Sequence, residues 1–63
     1  MPVITVDIAT LDSRDKKAAL VKALTDAASH TTGIPEEKFI VLLNEQPRDN
    51  IGVGGKLLSD LMK

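Results

Sequence analysis

The chain has 63 residues, with eight Lys and Arg against nine Asp and Glu, one His, no Cys, and 43% apolar residues of which Phe39 is the only aromatic. A chain this short buries only about 60% of the surface it exposes when unfolded, and without cysteine it has neither disulfides nor thiolate metal ligands to compensate. One histidine argues against a conventional zinc site. The net charge of -1 and a single aromatic leave no footprint for nucleic acid, and no apolar run reaches the about 18 residues of a membrane span.

Apolar burial and conformational entropy nearly cancel in a domain of this size, so association of subunits is the remaining way to complete a core. The amino terminus enters an alternating pattern directly, without the charged and apolar regions of a signal peptide. The expectation is one domain over residues 1–63, in a soluble cytoplasmic homo-oligomer with no nucleic acid or membrane partner.

Pro2 to Ile8 reads as a strand, with Ile4, Val6 and Ile8 on one side and Val3, Thr5 and Asp7 on the other. Leu11-Asp12-Ser13 forms a turn in which Asp12 or Ser13 caps the following helix. That helix is expected from about Arg14 to Thr31, with Leu20, Leu24, Ala27, Ala28 and Thr31 as its buried stripe. Gly33 suits a left-handed end to the helix, and Pro35 prevents its continuation. Phe39 to Leu43 is an unbroken apolar run, expected to be a strand covered on both faces.

Strand, long helix and strand imply a right-handed crossover and two parallel strands. From Glu45 to Asn50 the chain is polar and reads as a loop. Ile51 to Gly55 is too glycine-rich for a packed helix and predicts a short hairpin or tight turn, with Lys56 to Met62 as a brief closing helix. The fold class is therefore α/β (α+β), a β-α-β unit with a C-terminal hairpin, one face of its two-stranded sheet offered to partners.

These features together resemble the 4-oxalocrotonate tautomerase family over essentially the whole chain. The residues that carry the likeness are the Met1-Pro2 start, the Gly33-Ile34-Pro35 break, the strand ending in Asn44-Glu45, and the Asn50-Ile51-Gly52-Val53-Gly54-Gly55-Lys56-Leu57 segment. No one of them is specific; their joint spacing in so short a chain is. The resemblance implies a tautomerase-like fold, subunits whose sheets join in dimers, and dimers that assemble into hexamers. It also implies that Pro2 becomes the first residue on removal of Met1 and acts as the catalytic base.

Proline suits that role for a reason internal to the residue. A terminal proline carries a secondary amine, whereas an internal one has an amide nitrogen without useful basicity. An ordinary α-amino group titrates at roughly 7.7–8.0, and an apolar pocket or nearby cations favour its neutral form. Such an amine can accept an enol proton and return it to carbon as a general base and then acid, with no cofactor. By position alone, Pro2 equally suits the opening of an edge strand, where its missing N–H costs little.

The family places arginines just before the helix and in the second strand, and an aromatic ahead of the first hairpin glycine. This chain has Asp12, Ile40 and Ile51 there. Asp12 repels a carboxylate, Ile40 offers no bidentate donor, and Ile51 keeps an apolar wall without a ring. A substrate with one carboxylate therefore fits better than a dicarboxylate. Lys38, two residues before Ile40 and by alternation on the same face, is the best replacement cation. Arg14, two residues beyond Asp12, and Arg48 are further candidates. Each of the three also reads as a solvated surface cation, Arg14 with neighbouring carboxylates on its helix.

His30 suits the dipole of the helix C-terminus. The glycines lack the following Lys-Ser/Thr of a phosphate loop, and Glu36-Glu37 suits a capped turn better than a carboxylate dyad. The expected activity is enol–keto tautomerisation of small 2-hydroxy-dienoates or unsaturated 2-oxo acids. Pro2 moves the proton, Val3, Ile40 and Ile51 are walls, and Lys38 and Arg14 are substrate contacts, with no metal. The alternative is a binding or structural oligomer, or one subunit type of a mixed hexamer.

Overall fold

In the computed structural model, which describes residues 1–62, the order of elements is β1 (Val3–Ala9), α1 (Arg14–Thr32), β2 (Ile40–Gln46), β3 (Gly52–Val53), β4 (Lys56–Leu57) and α2 (Leu58–Leu61). Single 3-10 turns occupy Glu36–Lys38 and Arg48–Asn50. β1 and β2 pair in parallel, in register from Val3 opposite Ile40 to Ala9 opposite Gln46. A parallel pair needs a long crossover, and α1 supplies it.

Ser13 caps α1: its extended backbone turns the side chain to accept the Lys16 N–H at 3.1 Å. At the other end Gly33 adopts φ 77° and its N–H returns to the Ser29 carbonyl at 2.9 Å, the left-handed stop for which glycine carries no Cβ penalty. The stripe that α1 turns inward differs from the sequence expectation in two places. Leu20, Leu24 and Ala28 are half-buried as expected, but Ala27 and Thr31 are exposed, and Val21 and Thr25 take part instead. The rotation follows from packing on a narrow two-stranded sheet, which a helix covers with one edge of its apolar face.

β2 also departs from expectation. It starts one residue later than Phe39 and runs to Gln46, three residues past the apolar run. Its polar end is held because Asn44 and Glu45 find side-chain partners across the fold, and the Gln46 carbonyl accepts the Thr10 N–H at 3.0 Å. Asn44 donates to Asp7 at 3.0 Å, and Glu45 accepts the Leu11 N–H at 2.9 Å while its carboxylate pairs with Lys17 at 2.7 Å. The expected cover on both faces is absent within one chain. Val41 and Leu43 are half-buried under α1, whereas Ile40 and Leu42 are 37% and 49% exposed beside Val3 at 55%.

The hairpin turns at Gly54 and Gly55, with φ 60° and 85°, the pair of positive values that a two-residue hairpin turn of matching twist requires. Because Lys56 and Leu57 form its return strand, the closing helix is shorter than expected. Leu58 N–H donates to the Ile51 carbonyl at 2.7 Å and seats the hairpin base.

No described residue is fully buried. The radius of gyration is 14.7 Å, against about 11 Å for a compact chain of this length. Among the described residues, no helix is long and apolar enough to cross a membrane. The exposed sheet face and the open shape leave this chain short of a closed core, as its length implies.

Candidate functional site

Pro2 is half-buried immediately before β1. Its carbonyl accepts the Ile40 N–H at 3.0 Å, so the parallel ladder begins at this residue and fixes its position. With Met1 attached, the Pro2 nitrogen is an amide; removal of that residue, which is 85% exposed, would turn it into a secondary amine. Val3 and Ile40 are partners in the register and share the exposed sheet face. The amino-terminal end of β1 therefore brings together Pro2, Val3 and Ile40.

Lys38 lies near this end but not on the strand. It closes the 3-10 turn Glu36–Lys38, its N–H donating to the Pro35 carbonyl at 3.0 Å. The alternation that would put Lys38 and Ile40 on one face does not reach Lys38, because Pro35 and the two glutamates curl the chain before Phe39 straightens it. Lys38 is exposed and makes no ion pair among the described residues.

Ile51 and Arg14 stand elsewhere. Ile51 lines a cavity of about 370 Å³ with Ile8, Ala9 and Leu58, whose polar edge is Asp7 and Gln46. That cavity lies at the carboxyl end of β1, some six residues from Val3, or about 20 Å at ordinary strand rise. Arg14 opens α1 beside the same end, just after the turn that leaves β1. Within one chain, neither reaches Pro2. Nothing local in the sequence marks Gln46 as part of the cavity, since it is the pairing of β2 with β1 that sets it opposite Ala9.

The position just before the helix is occupied in a structural role. Asp12 pairs with Lys16 at 2.9 Å, one turn on. Arg48 donates from Nε to the Met62 Sδ at 3.2 Å. Glu45 is held below the ordinary carboxylate range, first by the Lys17 ammonium that bonds it and then by the Leu11 N–H. Across α1, Glu36 faces Asp26. Their side chains share a hydrogen bond that, with the Asp26 charge, raises Glu36; Asp26 is lowered by the same bond and by Lys22. Glu36 and Glu37 do form the expected turn, but Glu36 also belongs to a carboxyl pair whose second member lies ten residues earlier. Among the described residues, no group of three or more His, Cys, Asp or Glu could hold a metal ion.

Comparison with known proteins places the chain in a family. The family model described as tautomerase enzyme matches residues 2–61. A probable tautomerase of Bacillus cereus is 42% identical over 60 residues, covering 95% of this chain and 98% of that protein. The 2-hydroxymuconate tautomerase of Bacillus subtilis is 39% identical over 61 residues, covering 97% and 98%. Among solved structures, TomN, a 4-oxalocrotonate tautomerase homologue of the tomaymycin biosynthetic pathway, superimposes with a TM-score of 0.90 at 36% identity, covering 97% of this chain and 94% of that one. On fold, length and sequence, this chain belongs to the tautomerase enzyme family, among the small 4-oxalocrotonate tautomerase homologues.

Proposed function

We propose that this chain is a cofactor-independent enol–keto tautomerase of small 2-hydroxy-dienoates or unsaturated 2-oxo acids, with Pro2 as the proton-transfer residue once Met1 is removed. The observation that carries the reading is Pro2 itself: half-buried, bonded into the start of the parallel ladder, and beside the apolar Val3 and Ile40. The neutral amine accepts the 2-hydroxyl proton of the dienol. The O–H bonding pair becomes the carbonyl π bond, the conjugated pairs shift along the chain, and the protonated amine returns its proton to a substrate carbon. A base of matched basicity contributes roughly 10²- to 10⁴-fold by such transfer.

Ile40 supplies a wall from the same chain, and Lys38, without an ion pair among the described residues, is the candidate cation for a substrate carboxylate. Ile51 is about 20 Å from its own Pro2, so its place as a wall requires a neighbouring copy. The exposed Val3, Ile40 and Leu42 face favours the same conclusion. We therefore place the working site between subunits of a homo-oligomer, a hexamer built as a trimer of dimers. Arg14 stands at the same end of β1 as Ile51, in a groove with Ala18 and Val21, so its place as a substrate contact likewise requires a neighbouring copy.

A second reading is favoured by Asp12 and Ile40. One is an anion tied to Lys16, the other has no charge, and both stand where the family resemblance calls for arginine. In that reading the chain is a non-catalytic binding or structural oligomer, or one subunit of a mixed hexamer whose other chain provides the cations. Ketonisation of 2-hydroxymuconate and of a one-carboxylate dienol, by protein whose loss of Met1 is confirmed by intact mass, separates the two. Acceleration that vanishes in Pro2→Ala supports the first; no acceleration of either substrate by processed protein supports the second.

A further inference from the structure

The cavity at the carboxyl end of β1 has a volume of about 370 Å³, within the roughly 300–1,000 Å³ of small-molecule sites. Its walls are Ile8, Ala9, Ile51 and Leu58, and its polar edge is Asp7 and Gln46. The parallel register sets Asp7 opposite Asn44 and Ala9 opposite Gln46. Asp7, Ala9 and Gln46 therefore lie on one face of the sheet, and both polar residues border the cavity from that face.

The ladder fixes both backbones, while both side chains keep hydrogen-bonding capacity. The Gln46 carbonyl accepts the Thr10 N–H at 3.0 Å, and its side-chain amide has no partner among the described residues. Asn44 donates to Asp7 Oδ1 at 3.0 Å, and Asp7 Oδ2 accepts no hydrogen bond among the described residues. The edge thus offers a carboxylate acceptor beside an amide that both donates and accepts. No cation is among its lining residues. Arg14 stands at this end of β1 but opens on a separate groove with Lys17, Ala18 and Val21.

We propose that this cavity holds the end of the substrate remote from the 2-hydroxyl, and that Asp7 and Gln46 select a neutral carboxamide there. The chemistry is complementary: the substrate amide N–H donates to Asp7 Oδ2, and its carbonyl accepts from the Gln46 amide. A carboxylate in that place has no proton for Asp7 and meets it as a like charge, a repulsive element that favours the neutral competitor. A methyl end leaves both side chains unpaired, a loss that sites built for hydrogen bonding penalise strongly. The proposal rests on the tautomerase reading, with Pro2 and Lys38 supplied by a neighbouring copy, and deepens it by naming the distal group of the substrate.

Steady-state kinetics of the processed full chain test it on 2-hydroxymuconate, on its C6 carboxamide, and on 2-hydroxyhexa-2,4-dienoate, which ends in a methyl group. The wild type is expected to favour the carboxamide over either of the others by roughly tenfold or more in kcat/KM. Asp7→Asn, whose side-chain carbonyl still accepts from Asn44, should erase most of the preference over the dicarboxylate. Gln46→Leu should erase most of the preference over the methyl-ended dienol. Equal turnover of dicarboxylate and carboxamide by the wild type, or ratios unmoved in both variants, would overturn the proposal. A titration of the wild type, followed by the side-chain amide resonances of Gln46, needs neither variant nor turnover. Its ligands are (E,E)-muconate and its monocarboxamide, which lack the 2-hydroxyl and do not ketonise. Shifts with the carboxamide alone would support the proposal even where no dienol is turned over, a result that defeats only the tautomerase reading. Gln46 resonances unmoved by the carboxamide would overturn the proposal whatever the turnover.

Discussion

The Ile40 N–H donates to the Pro2 carbonyl at 3.0 Å, so the residue proposed to move the proton is positioned by its own backbone rather than by its ring. Pro2→Ala keeps that carbonyl and replaces the secondary amine with a primary one. We expect the processed variant to retain wild-type circular dichroism and subunit mass while kcat/KM falls by roughly 10²-fold or more. Retained turnover would end the proline mechanism.

Lys38 closes a 3-10 turn near Pro2 and makes no ion pair among the described residues. If it meets a substrate carboxylate, Lys38→Ala should raise KM roughly tenfold, the scale of one charge-assisted hydrogen bond, with kcat little changed. Lys38→Arg should keep most of the affinity. Steady-state kinetics on a one-carboxylate dienol distinguish this from a solvated lysine, whose loss leaves KM where it was.

Glu45 links β2 to the turn before α1 through the Leu11 N–H and to α1 through Lys17. These partners lower its pKa in the folded state, so the unfolded chain binds its proton more readily. The stabilisation is present in full above the unfolded carboxyl value of about 4.3 and is lost as pH falls through the lower folded value. Thermal melts of Glu45→Gln should therefore lie below the wild type at neutral pH, and the gap should close on acidification below about pH 4. A gap that stays constant with pH would show that the carboxylate charge does not matter.

Gly33 holds φ 77° with open space where a Cβ would stand. Gly33→Ala meets no clash, so its cost is the left-handed backbone alone, about 1 kcal/mol. Denaturant titration should show a lower midpoint with an unchanged slope.

Leu42 projects from the sheet face opposite α1 and is 49% exposed in the single chain. Leu42→Asp should shift the protein to smaller species in sedimentation, because association would strand an unpaired charge on an apolar face. An unchanged mass would place that face on the outside of the assembly.

The order of elements was legible in residues close together in the chain, and the family in the joint spacing of those local signals. Alternation in β1 needs only its own side chains, the cap of α1 needs Ser13 and the next turn, and Gly33 before Pro35 stops a helix whatever surrounds it. For the same reason the Gly54-Gly55 turn could be expected from composition. Where polar side chains find distant partners, local reading stopped short. By polarity Glu45 and Gln46 read as the start of a loop, yet β2 runs through them, with Glu45 held by Lys17 and Leu11 after Asn44 has met Asp7.

The candidate site divides along the same line. Pro2 and its apolar neighbours Val3 and Ile40 are close in register, and their types and spacing were determined by the sequence itself. The separation of Ile51 and Arg14 from Pro2, the place of Lys38 on a turn instead of a strand, and the meeting of Asp26 with Glu36 were decided by tertiary structure. Each depends on how far β1 carries the chain, or on which side of α1 meets the sheet. Sequence spacing measures contour, and only the folded path converts contour into distance.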